Sequence, residues 1–188
     1  MNSTDQYSEG FAENKGIKIF YRDYGPVNGD PILMVHGLGA QLVHWPPHLI
    51  NFLQSHNFRP ITYDNRDVGL SSRFLGTPSF VLDYIKYFLR LPIKAEYTID
   101  DMADDGIQLL ETLNIEQAHI LGTSMGGMIA QIIAAQYPKK VKSFTLIAST
   151  ASTPSPINAP SKPVRELMME RSKNPNASAE EVIKREIK

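Results

Sequence analysis

Gly122-Thr123-Ser124-Met125-Gly126 places a serine between two glycines in a G-x-S-x-G array. An apolar run, residues 118–121, leads into it, and a second apolar stretch, residues 127–135, leads away. The pattern reads as a strand, a sharp turn carrying Ser124, and a helix. Such a turn is strained, so small residues must flank the serine, and it lifts the hydroxyl above the carboxyl edge of a sheet. That edge is where open α/β sheets place ligands. The N-terminus of the following helix favours developing negative charge. The chemistry this suits is nucleophilic attack on an acyl carbon. Five residues alone also fit a glycine-rich strand–helix connection with a passive serine.

A second glycine-rich segment, His36-Gly37-Leu38-Gly39, follows the apolar run of residues 31–36. Glycines let the backbone turn closely and aim N–H groups inward. Acyl transfer creates an oxyanion that needs such donors, each worth about 3–4 kcal/mol. The expected donors are the backbone N–H groups of Leu38 and Met125, although an ordinary βα turn would carry the same residues. A third segment, Asp64-Asn65-Arg66-Asp67-Val68-Gly69-Leu70-Ser71-Ser72, follows another short apolar run. There Asp64 or Asp67 is expected to pair with Arg66 and fix the loop, a structural role.

The elements that must position these groups alternate. Residues 17–24 read as a strand ending at Gly25-Pro26, with an earlier partner near Phe11 to Glu13. Residues 31–36 form a continuous apolar run, which suits a strand buried on both faces. Residues 46–57 read as a helix with Leu49, Ile50 and Leu53 on one side, and 59–63 as a short strand. Residues 98–113 give the clearest helix: Thr98 caps it, Asp100 and Asp101 suit its first turn, and Ile99, Met102, Ala103, Gly106, Leu110 and Leu113 share a face. A strand at 117–121, a helix at 126–137 and a strand at 141–148 complete the series. This alternation predicts an α/β fold with a mostly parallel sheet flanked by helices.

Two regions stand apart. Residues 74–97 form an insertion in which Phe80, Tyr84, Tyr87, Phe88 and Leu91 lie near helical spacing, either packed on the body or walling an apolar pocket; Trp45 has the same two readings. Residues 149–163 are rich in Ser, Thr and Pro and read as a linker, followed by short helical patterns at 164–172 and 179–188. The division expected is therefore a core at 1–150 and a linker with the start of a helical cap at 151–188.

Composition removes several classes. Hydrophobic residues make up 42% and charged residues 21% of 188, which excludes a disordered, collagen-like or coiled-coil chain. A net charge of −1 favours neither nucleic acid nor an anionic membrane. Cysteine is absent, so disulfides, Cys-ligated zinc and thiol nucleophiles are excluded, and nothing calls for a metal or cofactor. The N-terminus has no basic start and no apolar run, and the apolar stretch 80–93 is broken by Asp83, Lys86 and Arg90. A cytoplasmic protein without a membrane span is expected.

The three motifs, in this order and each after a strand, resemble the α/β-hydrolase fold family over about residues 11–150, in its esterase-like and perhydrolase-like branch that includes aclacinomycin methylesterase. The resemblance implies that Ser124 is the nucleophile, that Leu38 and Met125 supply the oxyanion hole, and that the partner is a small ester-like molecule. A serine nucleophile argues against haloalkane dehalogenases and epoxide hydrolases, which use Asp. Asp67 stands where many relatives have Gly. The family's triad runs Ser, acid, His in chain order. Here His36, His44, His48, His56 and His119 all precede Ser124, and no Asp follows Asp105. Loss of the base costs on the order of 10⁶ in turnover. The expectation is thus an N-terminal portion of a serine hydrolase, ending inside the cap, nearly inactive alone and with strand 141–148 left as an open apolar edge. Two alternatives remain: a non-catalytic binding remnant, or one half of a split enzyme with a complementary C-terminal fragment as partner.

Overall fold

The computed structural model describes residues 7–74 and 96–151, together with Lys162. The chain divides into two compact units, Met1–Ala151 and Ser152–Lys188, and the sheet with its helices belongs to the first. The insertion residues Phe80, Tyr84, Tyr87, Phe88 and Leu91 and the helices expected at 164–172 and 179–188 lie outside the described residues.

The elements run β1 (Ser8–Asn14), β2 (Ile17–Asp23), β3 (Asp30–Val35), α1 (Pro47–Ser55), β4 (Phe58–Tyr63), α2 (Ile99–Thr112), β5 (Ala118–Thr123), α3 (Met125–Gln136) and β6 (Val141–Ile147). They form one sheet in the order β1-β2-β4-β3-β5-β6. The β1–β2 hairpin joins β4 antiparallel, while β4, β3, β5 and β6 are mutually parallel. This is the mostly parallel α/β sheet that the alternation predicts.

The continuous apolar run in β3 has a simple cause. Successive side chains of a strand point to opposite faces, and here both faces are covered. Leu33 and Val35 pack with Ile61, Tyr63 and Ile120 against Ala103, Ile107 and Leu110 of α2 and Ile129 and Ile133 of α3. Ile32 and Met34 pack on the other face with Leu121, against Trp45 and with Ile50 and Leu53 of α1. Trp45 is thus a core residue. Burying each large aliphatic side chain stabilises the fold by about 1.5–3 kcal/mol. α2 starts where the sequence places it: Thr98 Oγ1 accepts from Asp101 N, and the Asp101 carboxylate returns to Thr98 N, a capping box. β6 is less protected. Phe144, Leu146 and Ile147 are 48%, 36% and 46% exposed, and among the described residues β6 pairs with β5 alone. No helix among the described residues is long and apolar enough to cross a membrane.

Candidate active site

Ser124 sits between β5 and α3, one strand end from the loop that follows β3. β5 runs on through Thr123, so only Ser124 separates strand from helix. Its backbone is at φ 52° and ψ −120°, a region that non-glycine residues avoid and that costs about 1–3 kcal/mol. The conformation is held from both sides: Ser124 N donates to Ile147 O at 2.9 Å, and Ser124 O accepts from Gly127 N at 2.9 Å. Close packing fixes the glycines. A Cβ on Gly126 would overlap the Val35 carbonyl, and one on Gly37 would lie 3.1 Å from Ser124 Cβ. The His36–Gly39 loop therefore rests directly on the serine, whose side chain is exposed.

Leu38 and Met125, the residues that follow Gly37 and Ser124 at their contact, both line a cavity of about 470 Å³. Its other walls include Arg66, Val68, Tyr97 and Met102. Asn65, Asp67 and Thr98 also line it, but most of the surface it exposes is apolar, which suits an uncharged group. Sequence spacing does not single out Tyr97. Its hydroxyl donates to Asp67 Oδ2 at 2.7 Å, and burial together with that bond pushes its pKa up to about 12. A larger cavity, about 840 Å³, is lined by Tyr24, Gly25 and Gln54. Tyr24 follows β2, and its N–H bonds Pro60 O early in β4, so that cavity lies at the opposite end of the sheet from Ser124.

The third motif is organised differently from its sequence expectation. Arg66 pairs with neither Asp64 nor Asp67; it pairs with Asp105 of α2. The two aspartates instead hold backbone. Asp64 accepts from Leu42 N at 2.8 Å and Leu70 N at 3.0 Å. Asp67 accepts from Phe74 N at 2.6 Å as well as from Tyr97. Asp67 has φ 63°, which explains why glycine suits this position; the short carboxylate tolerates the left-handed region and hydrogen-bonds locally. Ser71 Oγ donates to Asp64 O at 2.6 Å and accepts from Phe20 N at 2.9 Å, stitching the loop to β2.

All five histidines are described, and none hydrogen-bonds Ser124. His36 is buried with its ring 4.5 Å from that of Trp45, and burial, with a smaller contribution from His44, lowers its pKa to about 4. Its Nε2 and Trp45 Nε1 are buried without a partner. His44 Nδ1 accepts from Gln41 N at 2.9 Å, His56 Nδ1 meets Phe52 O at 2.8 Å, and His48 is exposed on α1. His119 lies near the start of β5, bonded to Ser143 and Asp30. Among the described residues no group of three or more His, Cys, Asp or Glu side chains is placed to hold a metal ion.

With a serine at a strained strand–helix turn and a glycine loop packed on it, the chain belongs to the alpha/beta hydrolase fold family, whose sequence profile matches residues 30–184. It is 30% identical to RutD of Variovorax paradoxus, whose carbamate hydrolase assignment is itself provisional, over 70% of this chain and 42% of that protein. It is 25% identical to the rhodomycin D methylesterase DauP of Streptomyces sp. strain C5, over 72% of this chain and 40% of that one. A solved structure from work on carboxylesterases of the thaumarchaeon Nitrososphaera gargenis superposes with a TM-score of 0.64 at 25% identity, covering 89% of this chain and 53% of that chain. The chain spans about four tenths of the length of the curated relatives it matches.

Proposed function

We propose that this chain carries the nucleophile-bearing portion of a serine hydrolase that acts on carboxylic esters or closely related acyl substrates. The observation that carries the proposal is Ser124 at φ 52° between β5 and α3, exposed and backed by the Gly37 loop. Ser124 Oγ attacks the acyl carbon. The carbonyl oxygen takes up negative charge and accepts hydrogen bonds from the N–H groups of Leu38 and Met125. The alcohol leaves, and water then releases the acyl group from Ser124. The cavity of about 470 Å³ beside Leu38 and Met125 receives an uncharged, partly apolar portion of the substrate. The names of the methylesterase and carboxylesterase relatives support ester chemistry.

The proton of Ser124 needs a base, and none of the five histidines is bonded to it. We therefore assign the base and its carboxylate partner to residues outside this sequence, in the same reading frame or in a partner chain. The same observation favours a second reading, a non-catalytic remnant that keeps the pocket.

The test is hydrolysis of p-nitrophenyl acetate and butyrate by the chain, by Ser124→Ala, and by the chain supplied in cis or in trans with any sequence that continues its reading frame. Turnover of the chain alone is expected to match Ser124→Ala, and Ser124-dependent turnover is expected on complementation. Rapid Ser124-dependent turnover by the chain alone would refute the external base. Complementation without turnover would favour the binding remnant.

A further inference from the structure

A second serine–histidine–carboxylate chain lies away from Ser124. Ser143 Oγ and His119 Nδ1 are 2.7 Å apart, and His119 Nε2 and Asp30 Oδ2 are 3.1 Å apart. Three adjacent parallel strands supply the residues: Asp30 opens β3, His119 is the second residue of β5, and Ser143 is the third of β6. His119 and Ser143 are register partners. Ser124 lies five residue steps beyond His119, about 16 Å at 3.3 Å per residue. This group therefore occupies the opposite end of the sheet from the elbow serine.

The proton positions follow from the partners. A carboxylate only accepts, so the proton of neutral His119 sits on Nε2 and bonds Asp30. The lone pair of Nδ1 is then left facing Ser143 Oγ, which donates to it. Lys142 also pairs with Asp30 and, as the largest influence, holds its carboxyl below the usual aspartate range. Asp30 thus stays ionised. The Phe58 ring meets the imidazole edge-on at 5.7 Å and limits its rotation. Ser143 is exposed, and His119 is 25% exposed, so a reagent can reach both.

We propose that Ser143, His119 and Asp30 form a second acyl-accepting site, in which Ser143 is acylated by activated esters independently of Ser124. Ser143 Oγ forms a bond to the acyl carbon while the bond from that carbon to the leaving alcoholate oxygen breaks. The hydroxyl proton passes to His119 Nδ1, and the imidazolium formed is held by Asp30. Ser143 lies within a strand, with no helix N-terminus behind it. The acyl group therefore accumulates once per chain and turns over slowly. Its chemistry makes Ser143 a modification site for small activated acyl donors. The proposal does not rest on the role given to Ser124.

The molecule contains its own control. Ser55 Oγ also contacts a histidine, His56 Nδ1, at 3.2 Å, but it donates to Phe52 O, and no carboxylate bonds His56 among the described residues. The 188-residue Ser124→Ala chain is treated with p-nitrophenyl acetate, and the acetyl groups are located by mass spectrometry over time. A hydroxylamine-labile ester on Ser143 is expected to form at least about 10-fold faster than on Ser55, since a positioned general base contributes 10² or more. In the same background His119→Gln is expected to remove that advantage and Asp30→Asn to reduce it several-fold, with far-UV circular dichroism unchanged. Equal rates at Ser143 and Ser55 would overturn the proposal, as would acetyl found only as a hydroxylamine-stable amide on Lys142. The Ser143-to-Ser55 ratio is internal to one chain, so it decides the matter even if a variant fails to fold.

Discussion

The Arg66 guanidinium grips the Asp105 carboxylate through two hydrogen bonds, Nε to Oδ2 at 2.5 Å and Nη2 to Oδ1 at 2.9 Å. Asn14 Nδ2 adds a third at 2.8 Å. The loop after β4, the middle of α2 and the end of β1 are thereby pinned at one buried point, with Asp105 1% and Arg66 7% exposed. Hydrogen bonding to the Asp105 carboxylate raises the Arg66 pKa and outweighs burial, which opposes the charge, so Arg66 stays charged. Because Arg66 also walls the cavity beside Leu38 and Met125, a stability element and the candidate site share one residue.

Removing one partner of such a pair leaves an uncompensated buried charge, which costs about 3–5 kcal/mol. Asp105→Ala is therefore expected to lower the urea midpoint strongly. The double variant Asp105→Leu/Arg66→Met is expected to recover most of the loss, because replacing both charges by apolar groups is often neutral. Equal destabilisation of the single and double variants would show that the pair is not the cause.

At Ser124 the backbone rather than the side chain sets the energetics. Glycine normally destabilises a regular element by about 0.5–1 kcal/mol relative to alanine. At φ 52° that order should reverse, because only glycine enters this region without a Cβ penalty. Thermal unfolding should find Ser124→Gly more stable than Ser124→Ala by about 1 kcal/mol. The usual order, alanine above glycine, would mean that the turn is not strained.

Local patterns in the sequence carry most of the fold. The β3 run is apolar throughout because alternate residues face two covered layers, and Thr98 with Asp101 marks the start of α2 within four residues. Ser124 and its flanking glycines are a contiguous signal of the same kind. What is not legible depends on residues that only the fold brings together. Arg66 and Asp105 are 39 positions apart, so the adjacent aspartates look like the natural partners. Asp30, His119 and Ser143 meet only because the sheet order puts β3, β5 and β6 side by side. Trp45 reads equally as core or pocket until its neighbours on the α1 face are known.

His36 should make stability depend on pH. It is buried as neutral imidazole, with its pKa lowered from 6.5 to about 4 mainly by burial. Above pH 6.5 the folded and unfolded chains are both neutral at this position. As pH falls from 6.5 to 4 the unfolded chain takes up the proton and the folded chain does not, so stability is lost across that window. At 1.36 kcal/mol per unit the loss reaches about 3 kcal/mol. Urea unfolding of the chain and of His36→Gln between pH 4 and 7 tests this. The slope attributable to His36 should vanish in the variant, and a slope unchanged in His36→Gln would assign the pH dependence to other groups.

The β6 edge makes a prediction about association. Phe144, Leu146 and Ile147 are all at least a third exposed on a strand that, among the described residues, pairs on one side only. Among the described residues no strand pairs with its other side, and a strand edge beside apolar side chains is a template for pairing with another strand. The isolated 188-residue chain should therefore self-associate as its concentration rises. A lysine in place of Phe144 or Leu146 puts a charge where an approaching strand would have to desolvate it, while its aliphatic stem keeps part of the packing of these partly exposed side chains. Substitutions at exposed positions usually alter stability by up to about 0.5 kcal/mol, and at these partly exposed ones the change should stay at about 1 kcal/mol. Light scattering should thus show Phe144→Lys and Leu146→Lys shifted towards the monomer while the thermal midpoint moves only a little. Association that ignored both lysines would place the contact on another surface, and a wild-type chain that stayed monomeric at high concentration would show that the β6 edge is protected.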